Sequence, residues 1–346
     1  MDMSQRPLDA LRVDAAPSVT LRAPGRLHLG FLDPAASLGR RFGSLGLVIC
    51  GFETEVVLSA AAANQVSASG VAEQAEAERA NAYLQRLQQQ SGRHAPLHLA
   101  LLRVLPTHAG FGSGTQLALA IGRAFAQWHG LHVTTPALAQ WLARGARSGI
   151  GIAGFEHGGL LVDGGPGGSV GGGAPAPLLA RLPLPEAWRV LVVQDNAQQG
   201  LSGAGERDAI ANLAPLPRTL AADICHQVLM RVLPGAACAE FAPFATGITH
   251  IQQLLGAHFS PAQGSNAYTS AAVGRLVEWI AAAGLGAAVG QSSWGPTGFA
   301  ILPSQAQAEA VLESARTAGV VAAGLTLNIV AGRNHGATMI DSRHTN

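Results

Sequence analysis

A run of glycines and hydroxyls, Leu105-Pro-Thr-His-Ala-Gly-Phe-Gly-Ser-Gly-Thr-Gln116, stands between an apolar strand-like segment and an apolar helix-like one. A strand that ends in such a turn at the start of a helix aims several backbone N–H groups at one point and adds the positive end of the helix dipole. Gly110, Gly112 and Gly114 let the backbone approach an anion closely, and Ser113 and Thr115 add hydroxyl donors. The chemistry is phosphate binding, with Gln116 closing the segment. The plainer reading is a tight turn with a Ser or Thr cap.

Three more segments carry groups that could serve such a site. In Arg22–Asp33, Arg26 and His28 share one strand face, which suits two groups meeting one polar ligand. Arg40 and Arg41 follow beside glycines, where a fork-shaped guanidinium can clasp a carboxylate or phosphate. In Arg147–Asp163, Glu156 and His157 are adjacent, so on a helix or strand they point apart and cannot form a metal pair. Either could act singly as acid or base. In Gly290–Gly298, Gln291, Ser292, Ser293 and Thr297 offer polar contacts, and Trp294 offers a flat face for an aromatic ring or sugar.

The charge inventory narrows the chemistry. The chain has 346 residues and a net charge of +1, and all 22 of its basic residues are arginine. Without lysine there is no Schiff-base mechanism and no P-loop lysine. The near-zero charge gives no case for nucleic acid or an acidic membrane surface. Three cysteines, Cys50, Cys225 and Cys238, are too few and wrongly spaced for a disulfide framework or a zinc site. No apolar run reads as a membrane span, and the first residues lack a signal core. A cytoplasmic setting is expected.

The elements that must position these groups mix strands and helices without a regular βαβ repeat, which favours an α+β fold. Strands are expected at Val19–Arg22, Arg26–Asp33, Leu45–Ile49, Thr54–Leu58, Leu97–Val104, Leu160–Val162, Arg189–Asp195, Gly298–Leu302 and Thr326–Val330. Helices are expected at Glu73–Gln90, Gln116–Trp128, Pro136–Arg144 with Thr135 as cap, Leu220–Leu233, His250–Leu255, Tyr268–Ala283 and Gln305–Ala318. Residues 1–17 read as frayed, and the glycines of Pro166–Pro177 as a loop near a domain boundary. Two domains are expected, 1–180 with the glycine-rich turn and 181–346.

In this order, Ala23-Pro-Gly-Arg26, Pro106–Gly114 and Gly290–Gly298 resemble the three motifs of the GHMP superfamily, named for galactokinase, homoserine kinase, mevalonate kinase and phosphomevalonate kinase. The resemblance implies a GHMP-kinase-like two-domain fold. Its N-terminal domain is of a kind found in a small-subunit ribosomal protein, and its C-terminal domain is ferredoxin-like α/β. Two departures separate the chain from the kinases. Gly151 stands where they carry a catalytic Asp, and Gly114 where they carry a phosphate- and metal-binding Ser. Arg26-Leu-His-Leu-Gly30, Gly39–Gly46, Arg147–Gly151, Phe155–Gly159 and Gly290–Gly298 are instead similar to the β-ribofuranosylaminobenzene 5'-phosphate synthases.

That family resemblance implies a transferase of tetrahydromethanopterin biosynthesis. Phosphoribosyl pyrophosphate and 4-aminobenzoate or 4-hydroxybenzoate would give a C-riboside, carbon dioxide and pyrophosphate. On this reading the turn at 110–115 holds phosphate or pyrophosphate, and Arg26, Arg40 and Arg41 clamp anions. Trp294 faces the ring, and His28, Glu156 or His157 polarises the para group. Arg147 and Ser148 are further substrate contacts. Mg²⁺ is expected with the pyrophosphate, and Asp163 and Asp195 are candidate ligands. A homodimer is implied by the family. The rival readings are an ATP-dependent kinase of the same fold and a ligand sensor without chemistry.

Overall fold

The computed structural model describes residues 17–167, 176–200, 208–209 and 211–344. All but residue 17 of the frayed start expected over 1–17, and residues 168–175 of the glycine loop expected at Pro166–Pro177, lie outside the described residues. Alternating side chains build two long strands where four short ones were expected. Strand β1 is Ser18–Asp33 and β2 is Phe42–Ala60, paired antiparallel with Val19 opposite Leu58 and Leu27 opposite Leu47. The Ala23-Pro24-Gly25 break is absorbed within β1, because proline is tolerated at a bulge. The pairing slips between Pro24 and Arg26 and again between His28 and Gly30. Bulges re-aim side chains, and the short stretch between these two carries Arg26 and His28.

Along the chain follow β3 (Gln65–Ala68), α1 (Val71–Ser91), β4 (Leu97–Arg103), α2 (Ser113–Trp128), α3 (Thr135–Trp141), α4 (Ile150–His157), β5 (Leu160–Asp163) and β6 (Leu178–Leu182). The cap of α3 is Thr134, one residue before the one expected, and its side chain accepts from Ala137 N. One sheet runs β4 and β3 on one side of β2 and β1 on the other, with β5 and then β6 along the far half of β2. Helices α1 and α2 cover one face, where Leu21, Leu58, Leu84, Leu99 and Phe125 are fully or almost fully buried. Burying one such side chain stabilises by roughly 1.5–3 kcal/mol.

The chain then forms β7 (Arg189–Asp195), α5 (Arg218–Gln227), α6 (Leu233–Ala237), α7 (Phe241–Phe259), α8 (Ala271–Ala282), β8 (Ala288–Gln291), β9 (Thr297–Leu302), α9 (Gln305–Thr317), β10 (Leu325–Ala331) and β11 (Thr338–Asp341). A second, antiparallel sheet has the order β10-β7-β9-β8. Helices α8 and α9 cover one face of it through Val273, Leu276, Ile280 and Val311. The other face and α7 meet the first sheet in a shared core that includes Leu27, Leu29, Val190, Phe244 and Phe299. Position 180 lies inside β6, and β11 returns to pair with β1. The last strand of the chain therefore belongs to the first sheet. The architecture is α+β.

Candidate functional site

The anion turn is built by backbone that only glycine adopts readily. Gly110 has φ +92° and Gly112 φ +77°, the left-handed region that costs other residues strain. The reversal lets α2 open at Ser113, earlier than Gln116, and no side chain caps it. Two guanidinium groups flank the opening. Arg26 Nη1 donates to the Gly110 carbonyl at 2.6 Å, and a Cβ on Gly112 would stand 3.0 Å from Arg26 Cζ. On the other side, a Cβ on Gly114 would stand 3.1 Å from Arg144 Nη2, which lies 3.4 Å from Thr115 Oγ1.

Arg144 was missed in the sequence, where Arg40, Arg41 and Arg147 drew attention. Its placement comes from the end of α3. Arg144 N bonds to Ala139 O at 2.7 Å and Ala143 N to Gln140 O at 3.0 Å, the bonding of a Schellman turn. Ala143 occupies the position that normally takes glycine, at φ +52°.

Beside the turn lies a cleft of about 540 Å³ between β1, α7 and the segment after β8. His28, Phe31, Phe259, Tyr268, Gln291 and Trp294 line it. His28 is 4% exposed, and its Nε2 has no hydrogen-bond partner among the described residues. Burial, with the nearby Arg26 charge, brings its pKa down to about 3, against a small upward pull from its own backbone. The Phe31 ring meets the imidazole edge-on at 4.5 Å, and Phe259 lies 4.8 Å from the Trp294 ring. Burial and Glu278 push the Tyr268 hydroxyl up to about 12, so it stays protonated.

One side chain joins turn and cleft. Ser292 Oγ donates to the Gly110 carbonyl at 2.7 Å and accepts from His28 N at 2.9 Å. Ser293 N bonds to His28 O at 3.2 Å, and Ser293 itself sits at φ +54°. Gln291 is committed to holding this bend: its Oε1 accepts from Thr269 N at 2.6 Å, and its Nε2 donates to Ser293 O at 2.8 Å. Thr297 is buried in β9, with its carbonyl bonded to Ser292 N. Three motifs distant in sequence thus converge: Arg26–His28, Gly110–Thr115 and Gln291–Trp294.

Other expected residues lie elsewhere. Gln116 is buried and donates to Gly151 O at 2.8 Å, fastening α4 to α2. Arg40 donates to Gly165 O at 2.9 Å, and Arg41 lies over the Phe42 ring. Both are exposed, and neither has a contact with the anion turn. Arg147 and Ser148 occupy the turn before α4. Ser148 Oγ donates to Asp163 at 3.1 Å. Asp163 also accepts from Gly149 N, Ile150 N and Gly165 N. Burial raises its pKa while these donors pull it down. Its carboxylate caps the start of α4 and is not free for a metal. Asp195 is likewise engaged, with Ser270 Oγ at 2.6 Å and Ala197 N at 3.0 Å. Among the described residues no group of three His, Cys, Asp or Glu could hold a metal ion. Glu156 and His157 end α4, half exposed and 3.9 Å apart. Glu156 acts on Arg123, far along α2 from its opening.

Known proteins place this arrangement. The profile of the GHMP kinases N terminal domain matches residues 78–159, and that of the GHMP kinases C terminal matches residues 244–321. A β-ribofuranosylphenol 5'-phosphate synthase of Archaeoglobus fulgidus is 33% identical over 83% of this chain and 88% of its own. One from Methanothermobacter thermautotrophicus is 28% identical over 92% of this chain and 98% of its own. Among solved structures, homoserine kinase from Cytophaga hutchinsonii superposes with a TM-score of 0.65 at 17% identity, covering 98% of this chain and 100% of its own. Mevalonate diphosphate decarboxylase from Staphylococcus aureus does so at 0.65 and 15%, covering 95% and 99%. The fold is that of the GHMP kinases.

Proposed function

The chain belongs to the β-ribofuranosylphenol 5'-phosphate synthase family, and on that premise we propose that it is a decarboxylating pentosyltransferase. It joins the ribose of phosphoribosyl pyrophosphate to the ring carbon that bears the carboxylate of 4-aminobenzoate or 4-hydroxybenzoate, as a step of tetrahydromethanopterin biosynthesis. Pyrophosphate leaves with the electrons of the C–O bond, the ring carbon attacks the anomeric carbon, and loss of CO2 restores aromaticity. The protein must hold a polyanion, align a ring and stabilise the charge of the leaving group.

The observation that carries this reading is the Gly110 carbonyl, which accepts from both Arg26 and Ser292, while Ser292 also holds His28. One node therefore fixes a cationic turn beside an aromatic cleft, as the joining of a sugar phosphate to an aromatic acid requires. Arg26, Arg144 and the uncapped N–H groups of α2 are the prepositioned donors for the pyrophosphate. The phosphoryl-transferring carboxylate of the kinases is absent, since position 151 is glycine, and a Cβ there would press on Thr115 Cγ2 at 3.1 Å. With Asp163 and Asp195 both occupied, the described residues do not form a cage for Mg²⁺. Any Mg²⁺ arrives on the pyrophosphate, as part of the substrate.

No helix among the described residues is long and apolar enough to cross a membrane, and three free thiols suit a reducing cytoplasm. A cytoplasmic homodimer belongs to the same proposal. The test is incubation with phosphoribosyl pyrophosphate, Mg²⁺ and carboxyl-labelled 4-aminobenzoate or 4-hydroxybenzoate. Labelled CO2 and pyrophosphate in equal amounts are expected. ADP formation from ATP and an alcohol, with no CO2 release, would replace this reading with a kinase. Binding without turnover would replace it with a sensor.

A further inference from the structure

Two amides of the cleft are committed within the fold: Gln252 spans Leu29 O at 2.7 Å and Gln291 N at 2.8 Å, and Gln291 holds Thr269 and Ser293. His28 Nε2 has no such partner. Ser292 and Ser293 hold the His28 backbone on both sides, and Phe31 packs against the edge of its buried imidazole. In the tautomer in which Nδ1 carries the hydrogen, able to bond the residue's own backbone, the lone pair sits on Nε2. A lone pair buried at a wall of aromatic side chains is costly unless a ligand supplies a hydrogen.

We infer that the cleft is the subsite of the aromatic acceptor, and that His28 Nε2 selects benzoates whose para substituent carries a hydrogen. This rests on the reading above, in which the acceptor is a para-substituted benzoate. Phe31, Phe259 and Trp294 supply aromatic surface for the ring. The para O–H or N–H donates to Nε2, and the shared hydrogen pushes electron density into the ring toward the carbon that attacks. No proton need leave the acceptor for this: the bond strengthens as positive charge develops on the ring, and relaxes once CO2 has departed. A para fluorine has nearly the size of a hydroxyl but no hydrogen, so it would leave Nε2 both dry and unpaired.

The test titrates the full chain with 4-hydroxybenzoate and 4-fluorobenzoate by calorimetry, with inorganic pyrophosphate present. The hydroxy acid is expected to bind roughly 10- to 100-fold more tightly, the range for one hydrogen bond to a buried group. In His28→Leu that preference should collapse, and in His28→Gln, which keeps an acceptor, it should partly return. Histidine ¹⁵N resonances give a readout without mutation: the Nε2 signal should move with the hydroxy acid and not with the fluoro acid. Equal affinity for the two acids, a preference unchanged in His28→Leu, or an Nε2 signal indifferent to the hydroxy acid would each overturn the assignment. CO2 release without such discrimination overturns His28 alone. Discrimination in binding, with no CO2 from any benzoate, sustains the subsite and overturns the parent reading.

Discussion

The anion turn and the aromatic cleft share Ser292, yet they hold polar groups in opposite ways. At the turn the groups are charged: Arg26 donates to Gly110 O, and Arg144 reaches Thr115 at long range. Both arginines are partly buried, and the Nε of each is buried. In the cleft His28 is buried and neutral, and the Arg26 charge helps to keep it so. On the proposed reading, the difference lets one site grip pyrophosphate at the turn and keep the ring in drier surroundings. The guanidinium groups stand at the turn, and the buried wall beside it offers an uncharged imidazole.

The sharpest way to break this contrast is to close the turn. Gly112→Val puts a branched side chain at φ +77° and against the Arg26 guanidinium. Affinity for phosphoribosyl pyrophosphate should fall by about 100-fold or more, with benzoate binding kept, since the loss combines backbone strain with a displaced charged donor. Titration calorimetry with each substrate checks it, and an unchanged sugar-phosphate affinity would remove the turn from the site. Next comes Arg144→Gln, expected to raise KM for the same substrate about 30-fold, with a smaller change for the benzoate. Gly114→Ala should mimic part of that loss by pushing on the guanidinium, without lowering Tm, because alanine favours the helix.

A third prediction concerns the cleft. His28 is neutral in the fold with a pKa near 3, whereas in the unfolded chain it protonates near 6.5. Its contribution is therefore complete above pH 6.5 and is lost as pH falls toward 3. The loss is about 1.4 kcal/mol per pH unit across that window, because the unfolded state takes up the proton. Urea unfolding at a series of pH values should show this slope for the native chain and a flatter one for His28→Leu. Parallel slopes would mean that His28 can protonate where it sits.

What could be read from the sequence was chemistry carried by residue type. Glycines beside hydroxyls marked the turn, and an arginine two residues from a histidine marked one strand face. Both hold because a turn's backbone needs and a strand's alternation are local properties. What could not be read was set by distant partners. Nothing near Arg144 says that α3 ends in a left-handed alanine aimed at α2. Helix α4 was missed because Gly151 and Gly154 are poor helix formers. It exists because Asp163, which looked like a metal ligand, caps its first turn. The bulges that aim Arg26 and His28 arise from pairing with β2, which the isolated segment does not reveal.

The smallest expected effect falls on the pair that looked most catalytic. Glu156 and His157 combined an acid and a base, but adjacency on a helix sends their side chains in different directions. The fold places them at the end of α4 remote from the anion turn. There the His157 carbonyl accepts from Arg181, and Glu156 lies near Arg123. Their side chains are half exposed and 3.9 Å apart, and such surface contacts contribute roughly 0–1 kcal/mol. Glu156→Ala and His157→Ala should each leave kcat/KM within about twofold of the native value and change stability by about 0.5 kcal/mol or less. A fall of about tenfold or more in kcat for either, with Tm unchanged, would mean that chemistry reaches the far end of α4. The division of labour between a charged rim and a neutral cleft would then be wrong.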